Sequence, residues 1–130
     1  MGYHVLDPEA LDDSPTFPCD RRSLSDAAGL EALHAAVYEV APGESLARGY
    51  HYHRRREELF WVLSGRLSVD TPERVYEVPA GRAFVAEPES PIDPHNPADA
   101  ADPARVLGAG APASDPGLPY GAGGDGTGGE

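Results

Sequence analysis

Lysine is missing from this chain of 130 residues: all 10 basic residues are arginine, against 22 acidic ones, for a net charge of −12. Such a surface repels nucleic acid, whose binding depends on neutralising phosphates, and it disfavours anionic membranes. Self-repulsion at this charge works against a compact state until salt screens it. The sequence therefore predicts stability that rises from low to molar salt. Cysteine is almost absent too. Cys19 stands alone and forms no internal disulfide, and its mixed neighbours read as an ordinary thiol in a surface arm. No apolar run approaches the roughly 20 residues that cross a bilayer. The opening Met1-Gly2-Tyr3-His4 carries neither the basic region nor the apolar stretch of a secretory leader, and Leu6 stands where a myristoylation motif wants Ser or Thr. The expected setting is the cytoplasm, with neither a nucleic-acid nor a membrane partner. No nucleophile elbow surrounds Ser64-Gly65, and no glycine-rich phosphate loop follows a strand.

Long helical periods are also lacking. What the chain has is short alternating runs punctuated by Gly and Pro. Residues 1 to 30 read as an irregular arm, with a short strand at Tyr3 to Leu6 and one helical turn that Ser23 caps and Gly29 ends. From residue 31 to 108 strands follow at even spacing. They are expected around Ala32–Tyr38, Ala47–His53, Leu59–Leu63, Arg66–Asp70, Arg74–Val78, Arg82–Ala86 and Arg105–Leu107. Ser64-Gly65 reads as a hairpin turn, and Ile92–Asn96 as short and irregular because of Pro94. Such a series means an all-β barrel or sandwich in one domain with a modest core; periodicity alone leaves an immunoglobulin-like sandwich open. Residues 109–130 hold eight of the 15 glycines, so this stretch reads as a disordered tail.

One stretch carries chemistry: His51-Tyr52-His53-Arg54-Arg55-Arg56-Glu57-Glu58. Side chains two apart on a strand share a face, so His51 and His53 project together. A charged turn then brings Glu58 opposite them at the start of the next strand. Two imidazoles and a carboxylate with open positions hold a divalent first-row ion such as Fe, Mn, Ni or Zn, and such a site is able to do chemistry. Phe60 and Val62 share the parity of Glu58 and should face inward; Trp61 and Leu63 should face out, as should Tyr50 and Tyr52 relative to the histidines. Glu57 and Arg54 to Arg56 read as a solvated turn. His4, His34 and Asn96 read as structural.

The spacing of His51, His53, Glu58 and Gly65, followed by Pro79-Ala80-Gly81, resembles the two motifs of the cupin superfamily over roughly residues 34 to 108. The wider sequence is similar to small single-domain members of that superfamily from halophilic archaea. The resemblance implies a double-stranded β-helix, or jelly-roll barrel, with metal ligands at His51, His53 and Glu58. It also implies a homodimer, and a metal-dependent dioxygenase or isomerase as the activity; the alternative is a metal-free, non-catalytic member that binds a ligand or serves as a structural dimer. No catalytic residue beyond these ligands is assigned. The second motif departs from the pattern: Ile92 stands at the usual fourth-ligand position, four residues before Asn96. His95 is close in sequence but falls on the opposite strand face unless the backbone bulges.

Overall fold

The computed structural model describes residues 1–121. After a 3-10 turn at Pro8–Ala10 come β1 (Asp20–Ser23), α1 (Leu24–Ala28), β2 (His34–Val40), β3 (His51–Tyr52), β4 (Glu57–Ser64), β5 (Arg66–Asp70), β6 (Val75–Pro79), β7 (Ala83–Ala86), β8 (Asp93–His95), β9 (Ala104–Ala111) and β10 (Leu118–Pro119). All ladders are antiparallel. One sheet runs β1-β2-β9-β4-β7, a second β6-β5-β8, and β10 pairs with β3. The molecule is an all-β jelly-roll barrel, as expected. No helix among the described residues is long and apolar enough to cross a membrane.

Alternation explains the core. On β4, Phe60 and Val62 are buried while Leu59, Trp61 and Leu63 are exposed, the pattern of a strand with one face inward. Val40, Leu67, Val69, Ile92 and Val106 meet them from the other strands and complete one cluster. Asn96 is buried where its amide donates to the carbonyls of Val40 and Asp102, both at 3.0 Å, so its role is structural.

Several expectations change. Ser64-Gly65 does not close a hairpin: β4 pairs with β7 and β9, whereas β5 pairs with β6 and β8. Gly65 is instead the corner where the chain leaves one sheet for the other. Its φ is 75°, and a Cβ there would overlap the Pro103 carbonyl, so glycine is required twice over. Tyr3 to Leu6 is not a strand; the arm's strand is β1, which pairs with β2. The capped turn does form as α1, with Ser23 Oγ accepting from the Asp26 amide and Gly29 left-handed at φ 70°. Cys19 lies in the core rather than on a surface arm, and burial, with Glu44 nearby, pushes its thiol up to about 12. The expected 47–53 strand shortens to His51–Tyr52.

The tail boundary also moves. β9 continues to Ala111, residues 113–117 line a cavity, and β10 then adds to β3. The rest of the expected tail, residues 122–130, lies outside the described residues.

Candidate metal centre

β3, the charged turn and the start of β4 bring His51, His53 and Glu58 together. One ligand atom from each lies within 4.8 Å of the others. The two rings stand edge to face with centroids 5.3 Å apart. His53 Nε2 is 3.5 Å from Glu58 Oε2, and both side chains are nearly buried. His53 Nδ1 lies 3.1 Å from the Asp115 carbonyl oxygen, and His51 Nδ1 lies 2.8 Å from the Gly49 carbonyl oxygen. A carbonyl only accepts, so each Nδ1 carries the proton and each Nε2 keeps a lone pair. That is the tautomer a metal ligand needs, held by outer partners. Burial, the largest influence, lowers the His53 pKa against the opposing pull of Glu58.

Arg56 corrects the reading of the turn. Arg54 and Arg55 are exposed, but the Arg56 side chain is only 13% exposed and turns inward. Its guanidinium donates to Glu58 Oε2 at 3.3 Å and to the Pro112 and Ala113 carbonyls at 3.3 and 2.8 Å. In return Asp115 Oδ2 accepts from the Arg55 and Arg56 amides at 2.8 and 3.1 Å. The Arg55 amide is the largest influence lowering the Asp115 pKa.

The cluster forms part of the wall of a cavity of about 850 Å³. Its width follows from β9, where the inward positions beside Glu58 and Phe60 are Gly110 and Gly108. A Cβ on Gly108 would come within 2.9 Å of the Tyr38 ring, and one on Gly110 within 2.9 Å of Arg56 Cδ. Gly108 thus makes room for the Tyr38 ring, and Gly110 for the Glu57 carbonyl and the Arg56 side chain. Through Gly110, His34 on β2 stands in register with Glu58 on β4. His34 Nε2 lies 3.3 Å from the Tyr38 hydroxyl, and both residues line the cavity. Burial, then the nearby Arg56 charge, pushes His34 down to about 4, so its imidazole is neutral at pH 7.

Ile92 and His95 resolve the fourth position. Ile92 exchanges backbone hydrogen bonds with His51 at 3.0 and 2.8 Å, yet its side chain is packed in the core and not on the cavity wall. His95 pairs with Ser68 on β5, and its Nδ1 faces the Asp93 carbonyl at 3.1 Å. It does not join the cluster, and among the described residues no fourth His, Cys, Asp or Glu does.

Sequence reasoning missed Arg56, Asp115 and the His34–Tyr38 pair as site residues. It also turned Tyr50 away, whereas Tyr50 lines the cavity with its ring 5.0 Å from that of Tyr120. The strand parity that predicted otherwise fails because residues 47–50 are not strand.

A jelly-roll barrel with two histidines and a glutamate at one end is the arrangement of the cupins, and the cupin domain profile matches residues 36–109, more than half the chain. The chain belongs to that family. No curated protein matches it. Among solved structures, the polyketide cyclase RemF from Streptomyces resistomycificus superposes with a TM-score of 0.73 at 21% identity, covering 88% of this chain and 82% of that one. A sugar phosphate isomerase from Silicibacter pomeroyi gives 0.66 at 20% identity, covering 83% and 75%. A protein of Acidithiobacillus ferrooxidans gives 0.65 at 24% identity; that match covers 72% of this chain and 58% of the other, so the present chain spans less than two thirds of it. At these identities the likeness shows the fold.

Proposed function

We propose that this cupin is a metal-dependent enzyme acting on a small oxygen-bearing organic molecule, with a dioxygenase or isomerase type of reaction. The observation that carries the reading is the cluster itself: His51, His53 and Glu58 converge within 4.8 Å, with both Nδ1 atoms already engaged by carbonyls. The two Nε2 atoms and a Glu58 oxygen would hold Fe(II), Mn(II), Ni(II) or Zn(II). Three protein ligands leave positions for water or substrate, and a bound ion supplies Lewis acidity to a coordinated oxygen. The neutral His34 imidazole and the Tyr38 hydroxyl add a proton acceptor and a donor on the same cavity wall. That two structural neighbours are a cyclase and an isomerase is consistent with an enzyme. The acidic surface and a homodimer would fit a cytoplasmic protein of a saline cell.

A second reading is favoured by Arg56. Its ion pair with Glu58 at 3.3 Å gives the buried carboxylate a partner without an ion. In that case the protein is a non-catalytic cupin that binds a ligand. Metal content of untagged protein purified in molar salt, beside His51→Ala/His53→Ala, separates the two. About one equivalent of metal, lost in the double variant, supports the enzyme; no metal after reconstitution leaves the second reading.

A further inference from the structure

The cavity wall differs in charge from the rest of the molecule. The chain carries −12 overall, yet the charged residues lining the cavity are two arginines, Arg48 and Arg56, and two carboxylates, Glu58 and Asp115. Both carboxylates are already engaged, Glu58 by Arg56 and Asp115 by the Arg55 and Arg56 amides. Arg56 is engaged in turn, by Glu58 and two carbonyls.

Arg48 is different. It donates to the Thr16 carbonyl at 3.4 Å and to the Thr16 hydroxyl at 2.9 Å. Its guanidinium carbon lies 4.2 Å from the centre of the Phe17 ring, and that of Arg21 lies 4.3 Å from the same centre. Among the described residues, neither guanidinium has a carboxylate oxygen within 4.0 Å. Two cations thus share one aromatic ring with no carboxylate partner among the described residues, and of the two Arg48 lines the cavity, where a carboxylate from outside would meet it.

The neighbours define the rest of the ligand. Tyr50 and Tyr120, packed at 5.0 Å, present a polarisable wall beside Arg48, and Tyr38 and Phe60 line the interior. Arg48, Tyr50 and His51 follow one another along the chain. A cation, an aromatic face and the metal cluster thus come within roughly 10 Å of chain, a span suited to one or two rings.

We propose that the cavity takes a planar aromatic carboxylate, its carboxylate on Arg48 at the rim, its ring against Tyr50 and Tyr120, and its far oxygen directed towards His51, His53 and Glu58. The inference rests on the reading of this cavity as the ligand site, but the carboxylate contact does not require the metal. Guanidinium–carboxylate hydrogen bonds supply the orientation, and the aromatic wall supplies contact area that a bare anion lacks.

The test is calorimetric titration of the full chain with salicylate, in EDTA and again with Zn(II), beside inorganic phosphate and cyclohexanecarboxylate. Salicylate should bind under both conditions and outcompete the other two. Arg48→Gln should weaken it by at least about tenfold, and Tyr120→Leu should weaken it as well. Arg82→Gln, an exposed position off the cavity, should leave it unchanged, and added KCl should weaken it. Absence of salicylate binding in both conditions overturns the proposal, as does unchanged affinity in folded Arg48→Gln. Phosphate binding as tight as salicylate overturns the role of the ring. Metal content judges the metal site separately, because the EDTA arm does not depend on it.

Discussion

The His53 imidazole meets the backbone carbonyl of Asp115, 62 positions further along the chain, at 3.1 Å. A residue of the cupin motif is therefore oriented by a segment beyond its last long strand. The contact is fastened from both sides, since Asp115 Oδ2 accepts the Arg55 and Arg56 amides while Arg56 reaches back to the Pro112 and Ala113 carbonyls.

Replacing Asp115 with Ala removes the acceptor of two amides and loosens the carbonyl that fixes His53. Loss of an outer partner of a ligating histidine costs about 10- to 100-fold in metal affinity. Asp115→Ala should therefore weaken Zn(II) binding by at least about tenfold and lower Tm, while Asp115→Asn, which keeps one acceptor oxygen, should fall between. Competition against a chromophoric chelator reads the affinity. A lower Tm with unchanged affinity would restrict this segment to a structural role.

Much of this was legible in the sequence because side-chain parity on β4 is strict: Phe60 and Val62 inward, Trp61 and Leu63 outward, with Glu58 in line. The spacing from His51 to Gly65 placed the cluster for the same reason. Composition misled where glycine and proline serve order. Gly110 makes room for Arg56, and Ser114-Asp115-Pro116-Gly117 is a part of the cavity wall, although both fall in the stretch that reads as a disordered tail. His34 was beyond reach for a different reason. Its place opposite Glu58 depends on two strand registers through Gly110, and register between distant strands is not written in local pattern.

His34 gives the protein a pH dependence of definite sign. Its pKa falls from 6.5 to about 4 on folding, so the unfolded chain takes up this proton first as pH drops. The contribution to stability is complete above about 6.5, declines as pH falls, and is lost below about 4. His53, also lowered, acts in the same direction. Asp93, whose carboxyl burial raises above 3.8, acts in the opposite one near the acid end. Of the charged and titratable groups, Arg56, Arg21, Asp26 and His53 act on His34, Arg56 most strongly. His34→Gln should lose less Tm between pH 7 and pH 5 than the wild type; equal losses would show that the imidazole is not held neutral by the fold.

The outer face of β4 carries the last prediction. Trp61 and Leu63 are each 45% exposed and Val85 is 61% exposed. Trp61 lies opposite Ala83 and Leu107, and Leu59 opposite Val85 and Ala109, so this part of the sheet holds apolar rows without a charge. A second copy of the chain is the occupant proposed here, because an exposed apolar strip is able to meet the same strip of its copy across a two-fold axis. Two copies at −12 each repel one another, so association should depend on screening. Light scattering should show monomer at low ionic strength and dimer in molar KCl, and Tm should climb over the same series. Trp61→Arg should remain monomeric throughout while still gaining Tm with salt, because self-repulsion within one chain is screened in either case. A wild-type protein that stays monomeric in molar KCl would remove the dimer, and a Tm that is flat or falls with KCl would remove the role assigned to the acidic surface.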